Sequence, residues 1–185
     1  MAQSIDLTHS AMLALTRDSL AALRGALFRD LGANGAGYLQ EAGYAGGGAL
    51  YDAFAHWLAA RELGAPDTLP AEDFARYASL FFREAGWGSF DLGALHDAVA
   101  TIDSDDWSEA DPSAALEFPG CHLTTGLFAD FFGRLAGTPM AAMEVECRSM
   151  GAARCRFLVG SGEVMQQLYD AMAHGESYEE AAGRV

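Results

Sequence analysis

Positive charge is scarce in this chain. Its 185 residues include 11 Lys and Arg against 26 Asp and Glu, a formal net charge of −15. A surface of that sign repels the phosphate backbone of nucleic acids and disfavours anionic membranes, so neither is an expected partner. Long apolar runs are missing too, since no stretch approaches the roughly 18 residues that cross a bilayer. The opening MAQSIDLTHSAM has neither the basic start nor the apolar stretch of a secretory signal, and a cytoplasmic location is expected. Cysteine is limited to three residues, an odd number without an export signal. A disulfide framework is therefore a poor explanation, which leaves metal binding, redox chemistry or plain burial. Phosphate-loop, triad, paired-carboxylate and dinucleotide patterns are all lacking, as is any visible site for nicotinamide, flavin or an iron–sulfur cluster. The expectation is a binding domain rather than an enzyme.

What is present is material for one core. Hydrophobic residues make up 51% of the chain, enough for a single domain over 1–185. Leu20, Leu23, Leu27 and Leu31 recur at helical spacing in a first helix, Thr16 to Leu31, capped by Thr16 and ended by Gly32. A second helix is read within Gly37 to Glu62. Its Gly43, Gly46, Gly47 and Gly48 each cost up to about 1 kcal/mol relative to alanine, which calls for a compensating close approach by a helix, a subunit or a ligand. That small-residue face, flanked by Tyr38, Tyr44, Leu50 and Tyr51, leads us to expect a homodimer. Pro70 opens a third helix whose buried stripe is Phe74, Tyr77, Leu80 and Phe81.

Beyond the Gly86-Trp87-Gly88 break, Ser89 to Leu92 and Ala98 to Ile102 read as short strands. Asp103 to Gly120, acidic and holding two prolines, reads as a mobile loop or a short helix. Cys121 to Ala136 is a helix. Met140 to Cys147 and Arg154 to Val159 form a hairpin turning at Gly151, and the tail from Glu163 supplies one helix and a second short one. Hairpin-connected strands flanked by helices predict an α+β domain with an antiparallel sheet.

All three cysteines fall in one part of the chain, where Cys121 is followed by Glu144-x-x-Cys147 and then by Cys155. Cys147 and Cys155 face each other across the hairpin, and Cys121 starts the helix that packs on it. Three thiolates and one carboxylate complete a tetrahedral zinc shell. Such a shell keeps a net negative charge, so backbone N–H groups or Arg148 and Arg154 are needed beside it. In a flat strand Glu144 and Cys147 point to opposite sides, so this set requires a bulge or the start of the turn. His122 is the rival fourth ligand, but beside Cys121 it points about a quarter-turn away. Spacing alone leaves a second reading open, that of three ordinary buried cysteines.

The stretch PGCHLTTGLFADFFGRLAG followed by MEVECRSMGAARCRFLV resembles the carboxy-terminal half of a 4-vinyl reductase domain, matching at Cys121, Gly126, Glu144, Cys147, Gly151, Cys155 and Phe157. Weaker matches precede it at DLG, EAGYAGG and GWG. The resemblance implies the α+β fold shared with TRAPP subunits and haem nitric-oxide-binding domains. It also implies structural zinc on Cys121, Glu144, Cys147 and Cys155, as in phenol-responsive activators. In those sensors a Trp and a His hold the phenol. Trp107, in DWSEA, is similar to that Trp, whereas the place of the His reads PAEDFARY.

The pocket candidates are His56, Trp57, Tyr77, Phe81, Trp87, His96 and Trp107, set against the ordinary tendency of aromatics to be core. His9 and His174, near the termini, are expected at the surface. A sensor or carrier of an aromatic, hydrophobic or tetrapyrrole ligand is the leading expectation. The alternatives are a tetrapyrrole-binding accessory protein of bacteriochlorophyll synthesis and a ligand-free interaction subunit working through a partner protein.

Overall fold

The computed structural model describes residues 12–185; the first eleven residues of the stretch read above for an export signal, His9 among them, lie outside these. Six helices and four strands follow in the order α1 (Arg17–Leu31), α2 (Gly35–Ala59), α3 (Ala71–Glu84), β1 (Asp91–His96), β2 (Val99–Ser104), α4 (His122–Ala136), β3 (Met140–Glu146), β4 (Cys155–Ser161), α5 (Gly162–Ala173) and α6 (Tyr178–Ala182), counted among the described residues. The expected α+β class is borne out. The strands pair antiparallel in the order β1-β2-β4-β3.

Alternation along the strands sends side chains to two faces, and both are covered. Ile102, Phe157 and Val159 join the large core under α2, α3 and α4. Val99 and Leu158 point the other way, onto Met165 and Leu168 of α5 and Ala181 and Ala182 of α6. The sheet is thus the middle layer of three. Among the described residues no helix is long and apolar enough to cross a membrane.

Helices α2 and α4 cross at glycine. A Cβ on Gly43 would fall 2.9 Å from the Leu127 amide nitrogen and closer still to the Leu123 carbonyl. A Cβ on Gly126 would meet the Gln40 carbonyl and lie 2.8 Å from the Tyr44 nitrogen. Gly47 is closed by Asp130 and Gly48 by the Arg134 guanidinium. The compensation expected for these glycines is therefore a helix of the same chain. The two-fold contact assigned to this face is corrected, because Gly43, Gly47 and Gly48 are buried under α4; Gly46, Tyr38 and Tyr44 remain exposed.

Helix α1 also differs from its sequence reading. Thr16 caps it, accepting from the Ser19 N–H, and it ends at Gly32 with φ +58°. Its leucine stripe is not a core face: Leu23 is 50% and Leu31 42% exposed, and the buried residue of this helix is Arg24. In the first hairpin the strands run further than read, through GAL of β1, with the ladder irregular between Ala94 and His96.

Candidate metal centre and its surroundings

Three elements bring the cysteine group together. β4 opens with Cys155, and a 3-10 turn over Arg148–Met150, closed by Gly151 at φ +88°, carries Cys147 back beside it. Cys121 sits at the N-terminal boundary of α4. The fourth member needs the chain to break alternation, and the β3–β4 register slips between Glu144 and Glu146, the bulge that the spacing demanded.

The donor atoms of Cys121, Glu144, Cys147 and Cys155 all lie within 4.8 Å of one another, and all four residues are buried. A tetrahedron of thiolates at about 2.3 Å from zinc has edges of roughly 3.8 Å, so the group is near the size of such a shell. Glu144 Oε2 accepts the Cys121 backbone N–H at 2.8 Å. Its other oxygen, Oε1, is the buried side-chain atom without a hydrogen-bond partner among the described residues. A buried carboxylate oxygen with no donor is costly to leave alone. A cation among these donors would satisfy it, so the residues fit a metal ion.

The protonation pattern points the same way. Burial, then the Cys147 charge, pushes Glu144 up to about 8. Hydrogen bonds from Cys121 and Cys155 hold the Cys147 thiol far below its ordinary range. Cys121 is raised well above it by its bonds to Cys147 and Cys155 and by burial. For Cys155 the bond with Cys121 works downward, but that with Cys147 and burial outweigh it and the thiol is raised. The four acids thus oppose one another's ionisation, as expected of donors that share a small buried volume. A dication among them would remove that conflict.

The Gly120 N–H and the Ser149 hydroxyl support Cys147, and the Arg148 N–H supports Cys155. These are the donors expected around a negative shell. The Arg154 side chain is engaged instead by Glu146 and Asp103. His122 does not join the group. Its ring lies against Phe28, with centroids 5.6 Å apart, and burial lowers its pKa.

A buried polar chain that sequence reading missed adjoins the centre. Glu109 accepts from the backbone N–H of Leu123 at 3.0 Å and of Thr124 at 2.8 Å, capping α4 from a distance where Cys121 offers no side-chain cap. The Thr124 hydroxyl donates to Glu109 at 2.6 Å and accepts the Trp107 indole N–H at 2.7 Å. Burial pushes the Glu109 carboxyl up, while the Thr124 bonds, the Leu123 N–H and the Arg24 charge act against it. The DWSEA motif, singled out for its Trp, contains this Glu as well.

The seven aromatic and histidine candidates do not converge, and Trp57 is core, its indole N–H donating to Glu84 at 2.8 Å. Trp107 and Phe81 are buried, and Trp107 packs on Phe82, Trp87, Phe90, Phe128 and Phe157. Tyr77 and Trp87 are half-buried at the margin of that core; His56, in the last turn of α2, and His96, at the end of β1, are exposed. The mobile character read for 103–120 is corrected over its first half, where Trp107 and Glu109 anchor it. Trp107→Ala is thus expected to cost about 3–5 kcal/mol of stability, as for a large buried aromatic. Denaturant unfolding measures this, and a variant as stable as the parent would return Trp107 to the role of a ligand contact.

Known structures share this fold at low identity. The phenol-responsive sensory domain of the transcription activator PoxR, solved with phenol, aligns with a TM-score of 0.60 at 18% identity, over 84% of this chain and 78% of that one. A trafficking protein particle complex subunit 3 from Naegleria fowleri, covalently bound to palmitic acid, aligns with a TM-score of 0.60 at 15% identity, over 84% and 96%. A vinyl-4-reductase family protein from Methanocaldococcus jannaschii aligns with a TM-score of 0.48 at 18% identity, over 65% and 66%. No curated protein matches the sequence. Residues 109–161 match the family model of the 4-vinyl reductase domain, so the resemblance read from the cysteine spacing holds for the segment that carries all four donors.

Proposed function

We propose that this chain is a zinc-stapled domain that binds a small hydrophobic or aromatic molecule as a sensor or carrier. The observation that carries the zinc assignment is the buried group of three thiols and a carboxylate in which Glu144 Oε1 has no other partner. Zinc takes such a set in structural sites, and four protein donors leave no coordination position for a substrate. That favours binding over catalysis. The ion would fasten the start of α4 to the β3–β4 hairpin, since Cys121 belongs to one and the other three ligands to the other.

The small-molecule part is supported by the fold shared with a sensory domain that binds phenol. A homodimer, or a partner protein that reads the ligand state, would meet α1, whose Leu23 and Leu31 are exposed. The alternative reading, a tetrapyrrole carrier serving bacteriochlorophyll synthesis, is separated by spectrum. Metal analysis and absorbance of the purified protein test both readings. About one zinc per chain and no Soret band are the expected results. Protein purified without chelators that holds no metal would overturn the zinc assignment, and a Soret band would select the tetrapyrrole carrier.

A further inference from the structure

Between α1 and the segment 111–120 lies a cleft of about 600 Å³, within the range of about 300–1,000 Å³ typical of small-molecule sites. Its walls are largely apolar: Phe28 from α1, Leu116 and Phe118 from the segment, and the His122 ring lying against Phe28. Phe118 is 74% exposed at the rim, a large aromatic with no core to enter.

Three charged residues line the cleft, Asp111 half-buried, Glu117 exposed and Arg24 buried. Arg24 is only 8% exposed. Its Nη1 donates to the Glu109 carbonyl at 2.7 Å and to the Gly120 carbonyl at 3.5 Å. No carboxylate of the described residues makes a hydrogen bond or ion pair with it. The Glu109 and Asp111 carboxylates act on it only through space, Glu109 being committed to Leu123 and Thr124 and Asp111 to Ser113. A guanidinium carries five N–H donors in a planar fork suited to two acidic oxygens, and two neutral carbonyls on one nitrogen leave most of that capacity unused. Nε and Nη2 have no partner among the described residues and are not sealed off, so they are open to a ligand in the cleft.

We propose that this cleft binds a small aromatic carboxylate, with the ring between Phe28, Leu116 and Phe118 and the carboxylate on the free edge of the Arg24 guanidinium. The inference rests on the small-molecule reading above and names its site and ligand class. It also gives the ligand a route to the metal centre, because the Gly120 carbonyl held by Arg24 belongs to the residue preceding Cys121. A carboxylate drawing Arg24 outward would loosen that contact.

The probe is 2-naphthoate, with neutral 2-naphthalenemethanol as its comparison, titrated into the zinc-loaded chain and followed by calorimetry and amide shifts. Naphthoate is expected to bind at least tenfold more tightly than the alcohol and to shift residues 111–122. Arg24→Gln should abolish that preference. Because Arg24 also holds two carbonyls, a second variant avoids them: Gly25→Leu, on the cleft wall, where an added Cβ meets nothing within 4 Å. Leucine improves helix propensity there, so the fold is retained while the side chain fills the cleft, and both probes should lose at least tenfold in affinity. Shifts confined to another region, with affinity unchanged in Gly25→Leu, would overturn the cleft and leave the small-molecule reading standing. Failure of both probes to bind anywhere would overturn both.

Discussion

Cys147→Ser is expected to release the metal and to lower the melting temperature by about 10 °C or more. The apparent binding free energy of structural zinc is about 10–16 kcal/mol at neutral pH, and it is folding free energy, because the unfolded chain has no preformed site. A domain is stable by only about 5–15 kcal/mol in total. Losing one of the four ligands, a thiolate, removes a large part of the first quantity from the second, and a shift of about 2–4 °C follows each kcal/mol for a chain of this size. Cys147 is the ligand to choose, since it is fully buried at the turn between β3 and β4 and its donor atom lies among those of Cys121, Glu144 and Cys155. Serine fits the space, so packing alone changes little. Zinc content and melting temperature should fall together, and a chelator should bring the parent protein down to the variant's melting point. Glu144→Gln gives the milder version, keeping an acceptor for the Cys121 N–H while weakening the ligand. A Cys147→Ser protein with full zinc and an unchanged melting temperature would sink the ligand assignment.

How far the site could be read from residues alone depends on how local its causes are. The hairpin ligands are close in sequence, and the conflict between strand alternation and the Glu144–Cys147 spacing was enough to demand the bulge seen in the β3–β4 ladder. Helix ends were legible for the same reason: Thr16, Gly32 and Pro70 act through neighbouring backbone groups. Arg24 was not. On a helical wheel it lies among leucines as an ordinary polar residue, and its hydrogen-bond partners lie 85 and 96 residues further along the chain. Trp107 failed differently. Acidic residues and prolines around it suggested a solvated loop, but a ring of phenylalanines from α3, α4 and β4 encloses it, and Thr124 satisfies its N–H. Composition reports what a segment can do in water; burial is decided by elements that meet it only in the folded chain.

The glycines of α2 and α4 provide the second large effect. Gly43→Ala and Gly126→Ala are each expected to cost about 3–5 kcal/mol, whereas Gly46→Ala should be neutral or stabilise by up to about 1 kcal/mol. All three substitutions add the same methyl group and improve helix propensity, so the differences arise from packing. At Gly43 and Gly126 the new carbon would strike backbone of the facing helix, the Leu123 carbonyl in one case and the Gln40 carbonyl in the other. Backbone cannot rotate away as a side chain can, so the helices must separate. Separation would also open the core beneath, where Phe54 and Tyr51 of α2 pack on Phe131 of α4. At Gly46 an added Cβ meets nothing within 4 Å. The pairing has a functional consequence, because α4 begins at Cys121 and carries Thr124, which links Glu109 to Trp107. Moving α4 off α2 would shift that first turn relative to the β3–β4 hairpin, so Gly126→Ala should lose zinc affinity as well as stability. Denaturant unfolding of the three variants, with zinc competition by a chelator, measures both effects. Equal stabilities for Gly43→Ala and Gly46→Ala would mean that α2 does not meet α4 through this face, and would return the glycines to a contact between subunits.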